Sequence, residues 1–344
     1  MTWKVLDCSL YCTFFTLLSY LLVACENNLP QENVSFNTQE LSCDTVSFYP
    51  YLFQGEFFLK NGSIVMIDPK NAGKMHILNV ITGQTEHFSM KDSIEYPEVL
   101  LQQLPLSFFQ FDMRSYYMYA FEKNKLKLTR QSFQFKETVI TRAVQLGKNQ
   151  YAALGWFREG LFGIYNNKSR KIKYYGHYPL SVNIPFDRIS RNKIVQSFQG
   201  NIAYSAKHSK LIYCSRGFAY MACYKFTGSN LKFEWERHII PPPEFSVVDG
   251  LLECEYQERR GKFSSVTTAG DYIFTSYSQQ NAGDSISEKN HQILVHTMKG
   301  DHIATFYTDF PLSSIAVNLE ERTIYGILYE IDPVVCRFQF KDIN

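Results

Sequence analysis

Three arginines are the residues best suited to act together. Arg114, Arg158 and Arg216 each stand in a short polar break, within Asp112-Met113-Arg114-Ser115, Phe157-Arg158-Glu159-Gly160 and Ser215-Arg216-Gly217, between runs dense in β-branched and aromatic residues. A guanidinium grips an oxyanion through two parallel N–H bonds, so three of them converging would form a forked receptor for a carboxylate, sulfate or phosphate. Glu330 and Asp332 occupy the corresponding break of a later run. The plainer reading is three solvated loop charges, each partnered by a nearby acid such as Glu159.

The other reactive side chains do not assemble by spacing. The 8 histidines are dispersed. His291 and His296 fall on opposite faces of one expected strand and cannot share a metal as the two histidines of an HExxH helix do. There is no GxSxG elbow, phosphate-cradling loop or dinucleotide fingerprint. A Ser/His/Asp set meeting only in space stays open, because chain order does not constrain a triad. No catalytic residue is singled out, and no metal or cofactor is expected. Of the 8 cysteines, Cys43, Cys214, Cys223, Cys254 and Cys336 follow residue 25; an odd set cannot pair completely, and none has zinc-ligand spacing. Cys214 and Cys223 are expected as independently buried thiols, with a cross-strand disulfide as the alternative.

Cys25 is a separate case. No side chain from Cys8 to Cys25 is charged, and SLYCTFFTLLSYLLVA prefers hydrocarbon to water. The run suits the apolar core of a secretory leader and sits at the lower boundary for a spanning helix. Leu22-Val23-Ala24-Cys25 resembles the bacterial lipobox, which implies diacylglyceryl transfer to the Cys25 thiol and cleavage before it. Acyl burial of about 0.8 kcal/mol per methylene would then tether the protein to a membrane. An uncleaved anchor is the alternative, since Lys4 and the amino terminus face Asp7 and leave the positive segment thin. The expected organisation is a lipoprotein signal peptide over 1–24, a polar tether over 25–43 and one folded domain over 44–344.

Removing residues 1–24 leaves 34 basic against 32 acidic residues, a balance still of +2. Near-neutrality argues against a nucleic-acid partner, which needs a concentrated basic footprint. The elements that must position the arginines are short strands. GEFFLKNGSIVMIDPKNAGKMHILNVITGQTEHFSM reads as four of them, with tight turns at Asn61-Gly62, at 69–73 and at Thr82-Gly83. Comparable units follow, among them NIAYSA, KLIYCSR, AYMACYKF and LKFEWERHI, then FSSVTTA, DYIFTSYS, QILVHTMK and HIATFYT. Each sheet is too short to stand alone and buries both faces only when stacked radially against its like. The last unit, SSIAVNL, TIYGILY and VVCRFQF, lacks a fourth strand, and DTVSFYP at 44–50 is free to supply it. The reading is all-β: a six-bladed β-propeller of roughly 50 residues per blade, its ring closed by an N-terminal strand in the last blade. A seventh blade would need strands hidden in 90–107. The many Tyr and Phe residues are expected to fill the spaces between blades, with sugar stacking as the alternative.

QSFQGNIAYSAKHSKLIYCSRGFAYMACYKF, GDYIFTSYS, QILVHTMKGDHIATFYTDFPLSSIAVNLEERTIYGILY and GHYP at 176–179 resemble the TolB-like six-bladed β-propeller lipoproteins of Bacteroides-type bacteria. The resemblance covers most of 50–340 and implies a fold and a lipid-anchored place in the cell envelope, on the outer membrane or facing the periplasm. It brings no catalytic residues. The expected function is a binding module for an anionic small molecule, peptide, glycan or envelope protein. A hydrolase or lyase working in the central mouth, or a structural subunit of an envelope complex, are the alternatives.

Overall fold

A computed structural model of the chain describes residues 37–48, 57–60, 63–68, 74–89, 107–111, 116–122, 125–129, 140–147, 149–155, 157, 159–166, 168–178, 198–240, 244–249, 251–255, 259–281, 290–329 and 333–343. Cys25 and the 1–24 leader lie outside these residues, as does most of the 90–107 stretch. Among the described residues no helix is long and apolar enough to cross a membrane.

Two strands come first, β1 (Asn37–Glu40) and β2 (Asp44–Phe48). A four-stranded antiparallel sheet follows: β3 (Phe57–Lys60), β4 (Ser63–Asp68), β5 (Lys74–Asn79) and β6 (Thr85–Ser89). Its last turn is tight because Asn79 Oδ1 accepts from Ile81 N and Thr82 N while Gly83 takes φ +70°. A three-stranded sheet holds β7 (Ser107–Phe111), β8 (Tyr116–Glu122) and β9 (Lys125–Thr129). The next two sheets are again four-stranded in chain order. One holds β10 (Ile140–Gly147), β11 (Gln150–Gly155), β12 (Phe162–Asn166) and β13 (Lys171–Tyr175). The other holds β14 (Gly200–Ser205), β15 (Lys210–Ser215), β16 (Tyr220–Phe226) and β17 (Leu231–His238). A separate hairpin, β18 (Glu244–Val248) and β19 (Leu251–Glu255), precedes the long β20 (Arg259–Ala269) and β21 (Tyr272–Asn281). β22 (Asn290–Thr297) and β23 (His302–Thr308) complete that sheet. β24 (Leu312–Asn318), β25 (Thr323–Tyr329) and β26 (Pro333–Gln339) end the chain.

First strands meet first strands: β7 touches β10, β10 touches β14, β14 touches β20, β20 touches β24 and β24 touches β3. Asn201 Nδ2 donates to Ser264 O at 2.9 Å, and Ile315 N donates to Ser265 Oγ at 3.3 Å, so polar bonds join these inner strands. Sheets standing face to face with their first strands innermost are the blades of a β-propeller. The blades built on β10, β14, β20 and β24 are described on both faces.

The core is divided among the seams between blades. Phe162, Tyr213, Tyr220 and Tyr224 pack between the β10 and β14 blades. Ile212, Met221, Phe263 and Tyr277 pack between the β14 and β20 blades. Phe274, Phe306, Ile315 and Phe338 fill the next seam, and Ile64, Leu78, Tyr325 and Val335 the one after it. Seam-filling is thus what these aromatics do, as expected. Two of the buried phenols are satisfied by carbonyls, Tyr213 Oη donating to Phe198 O at 2.7 Å and Tyr178 Oη to Phe157 O at 2.6 Å. Cys214 and Cys223 are both buried and free, without a disulfide.

The chain's start completes the last blade. β2 pairs antiparallel with β26, from Asp44 opposite Arg337 to Phe48 opposite Val334, supplying the fourth strand that the last unit lacks. Within the stretch 25–43 expected as a tether, residues 37–40 form β1, and the compact unit begins at Asn37. β1 runs parallel to β23 at the outer edge of the β20 blade, and Leu41 is buried in the seam as the chain crosses to β2. Its residues, Asn-Thr-Gln-Glu, are all polar, because an edge strand is held by backbone bonds rather than by side-chain burial.

Candidate functional site

Equivalent turns gather on common faces of the disc. On the face that carries the turns from first to second strands, which we call the lower face, Asp271 Oδ1 in the turn after β20 receives Lys207 Nζ and His208 Nε2, each at 2.6 Å. Both donors sit in the turn after β14. Hydrogen bonds from Lys207 and then His208 hold the exposed Asp271 carboxyl below the ordinary carboxylate range. A carbon added at Gly270 would stand 2.7 Å from Leu319 Cδ1, in the turn after β24. Three blades therefore share this face.

The opposite, upper face carries the turns from second to third strands. Arg216 lies there, in the turn between β15 and β16, which Ser215 Oγ shapes by accepting from Gly217 N and Phe218 N. Its backbone N–H donates to Gln199 O at 2.7 Å, and its side chain is exposed, with no hydrogen bond or ion pair. Arg114 and Arg158 lie outside the described residues, as do Glu330 and Asp332. The turn of Arg216 reaches the next blade: a carbon added at Gly261 would lie 3.0 Å from Ala219 Cβ and 2.5 Å from Tyr277 Oη. Only glycine lets β20 begin this close to that turn.

Flanking Gly261 at the start of β20 is a basic run, Arg259-Arg260-Gly261-Lys262. Arg259 pairs with Asn281, Arg260 with Gln280, Gly261 with Gln279 and Lys262 with Ser278; Gln279 and Ser278 then pair with Asn290 and His291. No carboxylate stands in these rows. Across the described inner strands β3, β7, β10, β14, β20 and β24 the charged residues are Lys60, Arg142, Arg259, Arg260 and Lys262, every one basic. Four of the five lie toward the upper ends of their strands.

Ser278 Oγ and His291 Nδ1 are 2.9 Å apart, the nearest approach to a nucleophile–base pair in this region. Ser278 is only 4% exposed, so its hydroxyl braces β21 against β22 instead of meeting a ligand. Two histidines with lowered pKa values, His296 and His302, lie with tilted rings 5.1 Å apart on β22 and β23 near the lower face. Desolvation dominates both shifts. Among the described residues no three His, Cys, Asp or Glu side chains are grouped to hold a metal.

No protein-family model matches the chain, and no curated protein matches it. Solved structures do. The chain is similar to a luciferin-regenerating enzyme at 10% identity and TM-score 0.51, covering 87% of this chain and 95% of that one. It is similar to regucalcin of Agrobacterium tumefaciens, a calcium-binding protein, at 8% identity and TM-score 0.51, covering 88% and 94%. The Cps50 (Swd1) β-propeller domain of Myceliophteria thermophila follows at 9% identity and TM-score 0.47, covering 87% and 83%. At such identities the likeness is one of fold: the protein is a β-propeller.

Proposed function

We propose that the protein is a lipid-anchored cell-envelope β-propeller, of the TolB-like six-bladed kind of Bacteroides-type bacteria, that holds a ligand or partner protein at its upper mouth. The run of contacts from β7 through β10, β14, β20 and β24 to β3 supports six blades. The lipobox-like tetrapeptide ending at Cys25 supports the anchor, with polar residues 26–36 as the tether before β1.

The observation that carries the reading is the exposed Arg216 guanidinium, on a turn whose neighbour Ala219 abuts the start of β20. The equivalent second-to-third connection of the preceding blade, between β11 and β12, carries Arg158 in the sequence, whereas Arg114 falls between β7 and β8, a first-to-second connection, and leaves the set. An anionic small molecule, or the acidic group of a peptide, glycan or envelope protein, suits such a pair of guanidiniums.

The test is Arg158→Ala in the full chain, with sulfate and citrate binding followed by calorimetry. Binding weakens about tenfold at unchanged melting temperature, equivalent to roughly 1.4 kcal/mol; undiminished affinity removes Arg158 from the site. Mass spectrometry of the amino terminus gives acylated Cys25, and a chain retaining 1–24 without acylation removes the anchor.

A further inference from the structure

We infer that the outer mouth of the seam between the β10 and β14 blades binds a neutral oligosaccharide, which stacks on Phe233 and His177 and bonds to the amide, phenol and imidazole groups beside them. The site is built on the fourth strands of the two blades and does not depend on the upper mouth.

Alternate residues of a strand ordinarily turn to opposite faces. In β17 a register shift opposite Cys223 and Tyr224 breaks that alternation. Before the shift, Leu231 and Phe233 face the β10 blade, Leu231 within the seam and Phe233 with its ring 5.6 Å from that of Tyr224. After it, Trp235 packs in the opposite seam, and Arg237 Nε donates to Gly300 O on the same side. Glu236 and His238 therefore return to the β10 side. Glu236 Oε2 accepts from Tyr220 Oη at 2.8 Å, and the His238 ring lies 5.0 Å from that of Tyr220. At about 3.3 Å per residue, the chain from Asn230 to His238 sets these groups along roughly 25 Å.

The β10 blade supplies the facing groups through β13 and the residues after it. Tyr175 Oη donates to Asn230 Oδ1 at 2.9 Å and Lys173 Nζ to the same oxygen at 3.5 Å, while Asn230 Nδ2 has no partner. The exposed His177 ring lies 6.2 Å from that of Phe233, tilted by 54°. Phe233 is 41% exposed, one of few large apolar side chains so open among the described residues. Next to this pair, Tyr224 Oη is buried and unpartnered. Gly176, at φ +74°, makes room for it: a carbon added there would stand 3.1 Å from that oxygen.

These groups suit an uncharged, hydroxylated ligand. Burial, then the Glu236 carboxylate, raise the Tyr224 phenol above its ordinary range, so it stays a hydroxyl that both donates and accepts. Burial lowers His238, which leaves its imidazole neutral at pH 7 with one donor and one acceptor. Asn230 Nδ2 donates, and Glu236 Oε1 accepts. Sugar hydroxyls use both roles, and the C–H face of a pyranose matches an exposed aromatic ring. An oxyanion would meet Glu236, and an ammonium would meet Lys173 from the facing strand. The spread along β17 calls for several linked rings instead of one.

Calorimetry on the full chain, in a detergent without a sugar headgroup, tests this. Cellotetraose and tri-N-acetylchitotriose are the neutral probes, and tetramethylammonium and sulfate the charged ones. At least one oligosaccharide binds, and Phe233→Ala weakens it tenfold or more. His177→Ala, at an exposed side chain without hydrogen bonds, weakens it severalfold at unchanged melting temperature. If Phe233→Ala lowers the melting temperature, Phe233→Leu and Phe233→Trp serve in its place: leucine keeps the apolar packing and loses the affinity, whereas tryptophan retains it. Lys207→Ser, on the lower face, changes nothing. Failure of both oligosaccharides to bind at millimolar concentration, or affinity unmoved by the Phe233 and His177 substitutions, overturns the site. Tetramethylammonium binding that is lost in Phe233→Ala, with neither oligosaccharide bound, replaces the sugar by a cation and overturns the ligand class.

Discussion

Leu41→Ala tests whether the segment before residue 44 is tether or structure. Leu41 is 5% exposed, packed in the seam between the β20 and β24 blades, and its N–H donates to Tyr307 O at 3.0 Å. Around it, Asn37 Nδ2 donates to Asp342 O at 2.6 Å and Lys341 N donates to Gln39 Oε1 at 2.8 Å, so both chain ends hold the crossover in place. A seam bounded this way collapses poorly around a lost isobutyl group. The substitution therefore costs about 3 kcal/mol, within the range for buried leucines. At a urea dependence of about 3 kcal/mol per molar, the midpoint falls by about 1 M. Trp235, half-buried between the β14 and β20 blades, reports the transition by its fluorescence. Arg337→Ser is the control: it breaks only the pair from Arg337 Nη2 to Asp44 Oδ2, whose side chains are 41% and 61% exposed, and costs under about 1 kcal/mol. Equal midpoints for Leu41→Ala and the unsubstituted chain would refute the stitched closure, since a flexible tether loses nothing from that change.

Three further outcomes follow from the seams. His296 is buried with Nδ1 unpartnered, and burial, then the facing His302 and Arg237, lower its pKa from 6.5 to about 3. A pKa depressed on folding leaves stability intact above about pH 6.5 and removes it as pH falls toward 3, by roughly 1.4 kcal/mol per unit; His296→Phe flattens this slope in acid urea titrations, and an unchanged slope counts against it. Burial raises the Cys214 thiol well above its ordinary value and, offset in part by Lys210, lifts Cys223 to about 12. Peptide mapping after iodoacetamide should find both unmodified in the native protein and alkylated in denaturant; native labelling would show the β14–β20 seam to be open. Asn201→Ala removes the 2.9 Å bond to Ser264 O between β14 and β20 and costs about 1–2 kcal/mol in urea titrations, whereas no change would mean that water replaces it.

What the sequence makes legible depends on which groups hold each strand. Runs such as SSIAVNL and QILVHTMK announce β24 and β22 because their stability comes from β-branched and aromatic side chains in the seams. The missing fourth strand of the last unit is legible for the same reason, as DTVSFYP carries enough apolar character to be matched to it. β1 is illegible: its polar side chains say loop, and its parallel backbone pairing with β23 leaves no mark in residue type. β10 was passed over because Ile140–Gly147 buries every third residue along an inner strand instead of alternating strictly. The hairpin β18–β19 was missed between two longer units.

The site divides along the same line. Arg216 was found by aligning units, since a turn position is a property of the repeat. The basic run at 259–262 was not, since its place on an inner strand is set by pairing with β21, some twenty positions along the chain. The division of the core explains why such a run can exist. With the apolar side chains committed to the seams, the first strands also carry half-buried polar residues, among them Thr141, Gln145, Ser264, Ser265 and Ser313. Exchanging one of these removes little buried apolar area, so the axis can change its chemistry while the blades keep their packing. Uniform positive charge on the inner strands is therefore no demand of the fold.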